Sequence, residues 1–191
     1  QTVEAAGETV TSDEVTTLLI KLGGGVRSIE RQVNEVVGAA GAASATGYAV
    51  LSDVAAKSAW AKLEDAESNS SLAVRMTSRP LATLKASNST RPKISNSHSH
   101  DISTISDLGF GASTIFSNPE NNDDASSHTA IIVDEISKHL GSYVIERCPL
   151  NVKQGRDVFS DVGSSIDLMR RIKAQYDPAN TLNPGRFAGK I

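Results

Sequence analysis

Short apolar strands and amphipathic helices follow one another along this chain without a regular strand–helix–strand period. Residues 15–22 are apolar and rich in strand-forming side chains, and glycines at residues 23–25 separate them from a helical pattern that begins at Val26. Further along, residues 72–77 alternate between apolar and polar side chains, which is the period of a half-buried strand. Such a mixture is typical of helices packed on one face of a mainly antiparallel sheet. The sequence therefore predicts an α+β sandwich.

The rest of the chain is predicted to continue this mixture. Helix starts are placed at side chains that cap a free backbone N–H or at a proline suited to the first helical position. The predicted elements begin with a helix from residue 26 that ends at Gly38 and Gly41, a weak strand at residues 48–51 and a helix capped by Ser52 or Asp53. A short helix that opens at Pro80, a surface loop at residues 87–101 and a strand pair at residues 102–107 and 112–116 follow. The last elements are a polar loop at residues 118–124, a helix capped by Ser126 or Ser127 and stopped at Gly141, a strand at residues 143–147 and a helix at residues 164–176.

The composition excludes several classes of protein. No apolar run approaches the roughly 18 residues that a membrane-spanning helix needs, and no basic block marks a nucleic-acid surface. The single cysteine, Cys148, cannot form an internal disulfide. Residues 1–11 lack the basic and apolar regions of a signal peptide. We therefore expect a cytoplasmic protein, with a peripheral position at the inner face of the membrane left open.

The glycines at residues 23–25 are the first candidate binding site. Backbone N–H groups of a glycine run between a strand and a helix can hold a phosphate. This run lacks both the GxGxxG spacing and the GKS or GKT ending of phosphate-binding loops. A flexible turn is therefore the favoured interpretation.

Two histidines, His98 and His100, are the candidate metal ligands. In an extended segment their imidazoles point the same way, and neutral imidazoles suit zinc, iron or manganese. Asp101 adds a carboxylate, and a further ligand such as His128 would have to come from elsewhere. The surrounding Ser and Asn residues favour the alternative, a polar surface loop with incidental histidines, so we predict no metal site.

Two other features have simple interpretations. Cys148 lies at the end of a predicted strand and is expected to be a buried structural thiol. Arg170, Arg171 and Lys173 form a basic group on the last helix, which could face an anionic partner or the phosphates of a cofactor. A solvated face near a helix C-terminus is the favoured interpretation.

The most specific stretch follows the last helix at residues 176–187. Two X-Pro steps restrict the backbone to extended conformations, and Gly185 permits a tight turn. Asn183 offers amide donors and an acceptor, and Arg186 offers a fixed fork of donors. So ordered a series of turn residues argues against a disordered C-terminus.

Residues 168–191 resemble the C-terminal signature of FAD-linked oxidases of the vanillyl-alcohol oxidase type. The positions that meet the signature are Leu168, Met169, Arg170, Lys173, Tyr176, Asp177, Pro178, Leu182, Asn183, Pro184, Gly185 and Arg186. Within this family the strand at residues 141–149 is similar to the strand before the signature in the FAD-binding subunit of glycolate oxidase. Residues 18–37 are similar in order to the start of that subunit's second domain, and residues 107–111 to one of its strand turns.

The resemblance implies a flavoprotein of two domains. An N-terminal domain would bind most of the FAD, and a ferredoxin-like α+β cap domain would cover the substrate. The implied activity is oxidation of a small 2-hydroxy acid of the glycolate or lactate type, with a hydride passing to the flavin. Asn183 and Arg186 match the signature and are the predicted cofactor-binding residues, whereas the resemblance identifies no catalytic residue.

This chain matches only the C-terminal part of the family. We therefore expect a linker at residues 1–13, the cap domain at residues 14–163, and a C-terminal helix and extended tail at residues 164–191 that returns toward the flavin. The expected partners are the N-terminal FAD-binding domain, the 2-hydroxy acid and other oxidase subunits, with no nucleic acid and no membrane span.

The chain departs from the family in its histidine segment. Relatives that act on D-2-hydroxy acids carry a His-x-His pair followed by Gly-Asp-Gly-Asn, which is absent around residues 98–101. Direct catalysis by this segment is therefore not expected. The alternative function is a non-catalytic assembly or interaction domain of a multi-subunit oxidase.

Overall fold

The computed structural model describes residues 2–5, 16–51, 53–95, 102–154 and 156–191. Its elements are, in chain order, β1 Thr2–Ala5, β2 Leu18–Lys21, α1 Val26–Ala42, β3 Ala49–Leu51, α2 Asp53–Ser68, β4 Leu72–Thr77, α3 Pro80–Ser95, β5 Ile102–Asp107, β6 Ala112–Ser117, α4 Asn122–Lys138, β7 Ser142–Arg147, α5 Leu150–Lys153 and α6 Ser165–Tyr176, with a short 3₁₀ turn at Ala188–Lys190. The chain divides into two compact units, Gln1–Asp65 and Ala66–Ile191.

The first unit contains a three-stranded antiparallel sheet in which β1 lies between β2 and β3. The strand and helix predicted on either side of residues 23–25 are confirmed as β2 and α1. The prediction that Gly38 and Gly41 end this helix is wrong, because α1 continues to Ala42. A Cβ at either glycine would meet no neighbouring atom. These glycines therefore lie on an open helix surface.

The second unit is built on a four-stranded antiparallel sheet in the order β5-β6-β4-β7. Along the chain the elements run β4, α3, β5, β6, α4, β7, which is the β-α-β-β-α-β arrangement of ferredoxin-like folds. Helices α3 and α4 contact each other as well as the sheet, so both lie on the same face. The predicted α+β fold, with helices on one face of a mainly antiparallel sheet, is confirmed.

The hydrophobic core lies between this sheet and its two helices. Its buried members are Leu72, Val74, Met76, Ala86, Ile94, Ile115, Ile132, Ile136 and Ile145. Full burial of a large aliphatic side chain contributes about 1.5–3 kcal/mol. No helix in the described part of the chain combines the length and the apolar character needed to cross a bilayer.

The surface loop predicted at residues 87–101 is wrong in its first part. Residues 87–95 continue α3, which makes the predicted short helix 16 residues long, and residues 96–101 lie outside the described residues. The polar side chains that suggested a loop are hydrogen-bonded inside the unit, since the Ser87 hydroxyl lies 3.0 Å from that of Ser113. Such a partner removes most of the cost of burying a hydroxyl, so the helix can continue against the sheet.

Helix α4 begins earlier than predicted. Its first residue is Asn122, and its cap is Asn121 rather than Ser126 or Ser127. The Asn121 side-chain oxygen accepts a hydrogen bond from the backbone N–H of Asp124 at 2.9 Å. An asparagine cap followed by acidic residues in the first turn is favourable at a helix N-terminus. The polar loop predicted before the helix is shorter for this reason.

The connection from β7 to α6 extends the sheet at its edge. After the short helix α5, the chain returns beside β7, where the Ile145 N–H donates to the Val158 carbonyl at 2.7 Å and the Ser160 N–H donates to the Tyr143 carbonyl at 3.0 Å. This edge segment, residues 157–160, gives the C-terminal tail a surface on which to pack.

Candidate functional site

Helix α6 and the tail that follows it form an open groove of about 630 Å³. Most of its lining is apolar or aromatic, from Met169, Ile172, Tyr176, Leu182, Phe187 and Ile191. The first three side chains lie on one face of α6, because positions three and four apart in a helix share a face. Asn183 and Arg186 also line the groove and add polar groups. Apolar walls with a few polar groups are the usual composition of a small-molecule site.

Asp177 ties the tail to the end of α6. Its buried carboxylate accepts hydrogen bonds from the Thr181 N–H at 2.9 Å, the Thr181 hydroxyl at 3.1 Å and the Leu182 N–H at 3.0 Å. It also pairs with the Lys173 ammonium at 2.5 Å. The ammonium and these N–H donors hold the pKa of the Asp177 carboxyl well below its usual range. The carboxylate therefore stays charged, and its charge-assisted hydrogen bonds are of the stronger kind.

The backbone after Asp177 turns sharply. Asn180, Asn183 and Gly185 have positive φ values of 51°, 46° and 71°. Asparagine and glycine are the residues that adopt this left-handed conformation most readily. The Arg186 N–H donates to the Asn183 carbonyl at 3.2 Å and closes a turn. The sequence therefore favours a compact tail, in agreement with the predicted series of turn residues.

A second anchor holds the end of the tail. The Gly189 N–H donates to the Asp157 carboxylate at 2.6 Å. The Phe187 ring packs on the Phe159 ring, with centroids 5.3 Å apart and planes inclined by 58°. Ala188, which lies between Phe187 and Gly189 in the chain, is buried. The tail is thus attached to the edge segment of the sheet.

The predicted cofactor-binding residues, Asn183 and Arg186, lie between the two anchors. Both side chains are exposed and line the same groove. Within the described ranges, neither the Asn183 amide nor the Arg186 guanidinium takes part in a hydrogen bond or an ion pair. These polar groups are therefore available to a ligand, and cofactor binding by them stays a prediction.

The basic group predicted on the last helix is divided in the structure. Arg170 and Arg171 are exposed and interact locally with Asp167, as a solvated face requires. Lys173 instead turns toward the tail, where it contacts Asp177 and donates to the Leu182 carbonyl at 2.5 Å. Sequence reasoning missed this role of the Lys173–Asp177 pair. Their opposite charges four residues apart at the end of a helix were the signal that could have revealed it.

The glycines at residues 23–25 have the predicted setting between a strand and a helix. Gly24 has a φ of 134°, and Gly25 caps α1 without a side-chain hydrogen bond. The Gln32 side chain donates to the Gly23 carbonyl at 3.3 Å. The flexible turn favoured by the sequence stays a prediction.

The predicted histidine pair, His98 and His100, lies outside the described residues. Within the described part of the chain, no group of three His, Cys, Asp or Glu residues has the geometry of a metal site. His128, the suggested further ligand, is buried in α4 with its Nδ1 atom 2.8 Å from the Ser117 hydroxyl. This contact places His128 in the interior of the second unit.

Cys148 is half-buried and packs against the core. Burial raises the pKa of its thiol, which disfavours the reactive thiolate. The thiol is less buried than predicted, and its structural role stays a prediction.

Comparison with known proteins points to the same segment as the groove. The family model of FAD linked oxidases, C-terminal domain, matches residues 161–187. This span contains α6, the Asp177 anchor, Asn183 and Arg186. The match supports the coarser part of the predicted resemblance, a FAD-linked oxidase C-terminal domain. Searches of curated proteins and of solved structures found no match.

Proposed function

We propose that this chain is the C-terminal domain of a FAD-dependent oxidoreductase, and that its groove faces a flavin held mainly by an N-terminal domain. One observation carries the proposal. The family match at residues 161–187 covers the helix and the part of the tail up to Phe187, which includes both predicted cofactor-binding residues and all of the groove lining except Ile191. In this proposal residues 164–191 are the segment that returns toward the flavin.

The groove suits one side of a flavin ring system. Such a ring is flat and largely apolar, with carbonyl and N–H groups along one edge. The apolar walls of a groove of about 630 Å³ can cover part of the ring face. Asn183 can donate to and accept from the polar edge, and Arg186 can donate to carbonyl or phosphate oxygens. Residues of this chain would thus orient the ring and exclude water from it.

The bound flavin would supply the redox chemistry by accepting a hydride from the substrate. We propose a small 2-hydroxy acid of the glycolate or lactate type as the substrate. The Arg186 guanidinium supports an acidic substrate, since its planar fork matches a carboxylate. The vanillyl-alcohol oxidase type, the likeness to glycolate oxidase and the cytoplasmic location remain predictions from the sequence.

A second candidate function is assembly with other oxidase subunits. The observation that favours it is the exposure of large apolar side chains on the same segment. Among them, Leu168, Ile172, Tyr176 and Leu182 are between 51% and 82% exposed. Exposed apolar clusters of this kind often mark interaction surfaces.

Flavin retention and turnover test the proposal in the two-domain flavoprotein that it predicts. We expect Asn183→Ala and Arg186→Ala each to lower bound-flavin absorbance or glycolate and lactate turnover. Arg171→Ala is the matched control, since Arg171 is an exposed arginine on α6, the helix beside the groove, and does not line the groove. Unchanged retention and turnover in both variants would remove these residues from the site. Bound flavin without turnover under every condition would favour assembly instead.

A further inference from the structure

The tail presents Asn183 and Arg186 on a loop whose two ends are fixed by carboxylates. Asp177 holds the start of the loop, and Asp157 holds its end. Neither carboxylate lies in the loop itself, and they come from different parts of the second unit.

The start of the loop is held by the side chain of Asp177. The two oxygens of Asp177 divide their donors, with Thr181 bound to Oδ1 and Leu182 bound to Oδ2. Lys173 joins the same residues from the helix side, since its ammonium contacts both the Asp177 carboxylate and the Leu182 carbonyl. The residue directly before Asn183 is therefore held through both its N–H and its carbonyl group.

The second fixed end depends on a carboxylate from the edge segment. The Asp157 Oδ1 atom accepts from the Phe159 N–H at 3.0 Å, and its Oδ2 atom accepts from the Gly189 N–H at 2.6 Å. A Cβ at Gly189 would overlap the end of the Ile166 side chain, so glycine lets the tail approach α6 closely. The tail thus meets the sheet edge and the helix at one point.

The loop between these ends passes through left-handed backbone at Asn183, whose φ is 46°. Asparagine adopts this conformation more readily than most residues with a side chain, but a free chain also samples other conformations. The two anchors hold the loop in the left-handed one. A ligand that meets side chains already in place avoids the entropy cost of ordering them.

We propose that Asp177 and Asp157 are positioning residues that hold residues 183–186 in a preformed loop, so that a flavin meets Asn183 and Arg186 in their binding arrangement. The inference rests on the proposed function, because it assigns the flavin as the ligand of this loop. Both carboxylates hold backbone N–H groups of the tail, and Asp177 also accepts from the Thr181 hydroxyl.

The test compares Asp177→Asn and Asp157→Asn with Asp167→Asn. Asparagine keeps the size of the side chain but replaces one acceptor oxygen with a donor amide, so each substitution breaks part of an anchor. Asp167 is the matched control, because its carboxylate is 76% exposed and lies 3.6 Å from an arginine of the same helix. Thr181→Val is a milder variant that removes only the hydroxyl donor and keeps the helix and its lysine intact.

Two measurements are needed for each variant. Amide hydrogen exchange of Thr181, Leu182 and Gly189 in this chain reports the order of the tail. The flavin dissociation constant of the two-domain protein reports ligand binding. We expect the Asp177 and Asp157 variants to exchange about tenfold faster or more at their own anchor and to bind flavin about tenfold more weakly. Thr181→Val should lie between these variants and wild type, and Asp167→Asn should match wild type in both measurements.

The outcomes separate this inference from the proposed function. Unchanged exchange in both anchor variants overturns the positioning role, whatever happens to the flavin. Faster exchange with unchanged flavin affinity also overturns it, since loop order would then not matter for binding. If Asn183→Ala and Arg186→Ala both leave flavin affinity unchanged, both residues are removed from the proposed site, and the positioning role of the two carboxylates fails even if exchange is faster in the anchor variants.

Discussion

Substitution of Gly111 by alanine should destabilise the second unit by several kcal/mol. Gly111 closes the β5–β6 hairpin with a φ of 65°. An added Cβ would overlap the Ser78 carbonyl oxygen, which belongs to the backbone and cannot rotate away. The Gly111 carbonyl also accepts hydrogen bonds from the Ser78 N–H and the Thr83 hydroxyl, both at 2.9 Å. Any movement that relieves the overlap therefore weakens these hydrogen bonds.

The size of the effect follows from three contributions. A left-handed backbone costs a residue other than glycine roughly 1–2 kcal/mol. Overpacking in a closely packed region adds about 1–3 kcal/mol, and each weakened hydrogen bond adds about 1 kcal/mol. Because both hydrogen bonds of the Gly111 carbonyl are weakened, these contributions total about 4–7 kcal/mol, and partial relaxation of the hairpin keeps the expected loss at about 4–5 kcal/mol. This is a large share of the stability of a domain, which is about 5–15 kcal/mol.

Gly163→Ala is the matched control for Gly111→Ala. Gly163 has a similar φ of 58°, but an added Cβ would meet no neighbouring atom. This substitution should cost only the left-handed strain of about 1–2 kcal/mol. Urea unfolding followed by far-ultraviolet circular dichroism measures the loss for both variants. The fluorescence of Trp60, the single tryptophan of the chain, follows the first unit separately, so unfolding of the two units can be told apart. Equal losses for the two variants would refute the overlap with Ser78 as the main cause.

The remaining predictions concern an ion pair, a helix and the cofactor. Lys138 and then Lys93 lower the pKa of the buried Glu135 from 4.5 to about 2. Glu135→Gln should therefore lower the free energy of unfolding by about 1–3 kcal/mol at neutral pH, measured by urea unfolding. Asp134→Asn, at an exposed carboxylate that also pairs with Lys138, is the control and should change it little. Because the folded-state pKa lies below the ordinary value, the stability from Glu135 is present above pH 4.5 and lost as the pH falls through about 2; a wild-type advantage over Glu135→Gln that persists below pH 2 would contradict this. Gly38→Ala should stabilise α1 by about 0.5–1 kcal/mol, seen as a higher urea midpoint of Trp60 fluorescence, and an unchanged or lower midpoint would count against an open helix position. The chain alone should bind FAD weakly, and a dissociation constant of about 1 μM or tighter by titration would contradict the assignment of the main FAD contacts to another domain.

The sequence predicted those elements in which the alternation or spacing of apolar side chains already marks the buried face. The alternation at residues 72–77 became β4, with Leu72, Val74 and Met76 fully buried. Residues 87–95 were misassigned because their polar side chains find partners only after the chain folds, as Ser87 does on β6. Local patterns carry no information on such partners, which lie far away in sequence.

In the candidate site, too, the sequence predicts the residues but not their distant hydrogen-bond partners. The tail signature identified Asn183 and Arg186 as the residues of interest, and the structure brings both to one groove. It did not predict the anchor at Asp157, because that residue is 32 positions away from its partner Gly189. Anchors of this kind depend on how the edge segment packs, which the tail sequence does not determine.

The spacing of residues 177–182 has a physical explanation in the first anchor. One carboxylate has to reach N–H groups four and five residues further along the chain, at Thr181 and Leu182. The chain folds back over this distance because Asn180 adopts a left-handed conformation, with a φ of 51°. Adding or removing one residue between Asp177 and Thr181 would move both N–H groups away from the carboxylate and displace Asn183 from the groove. The spacing of the tail signature is therefore a requirement of hydrogen-bond geometry as well as of the residues that line the groove.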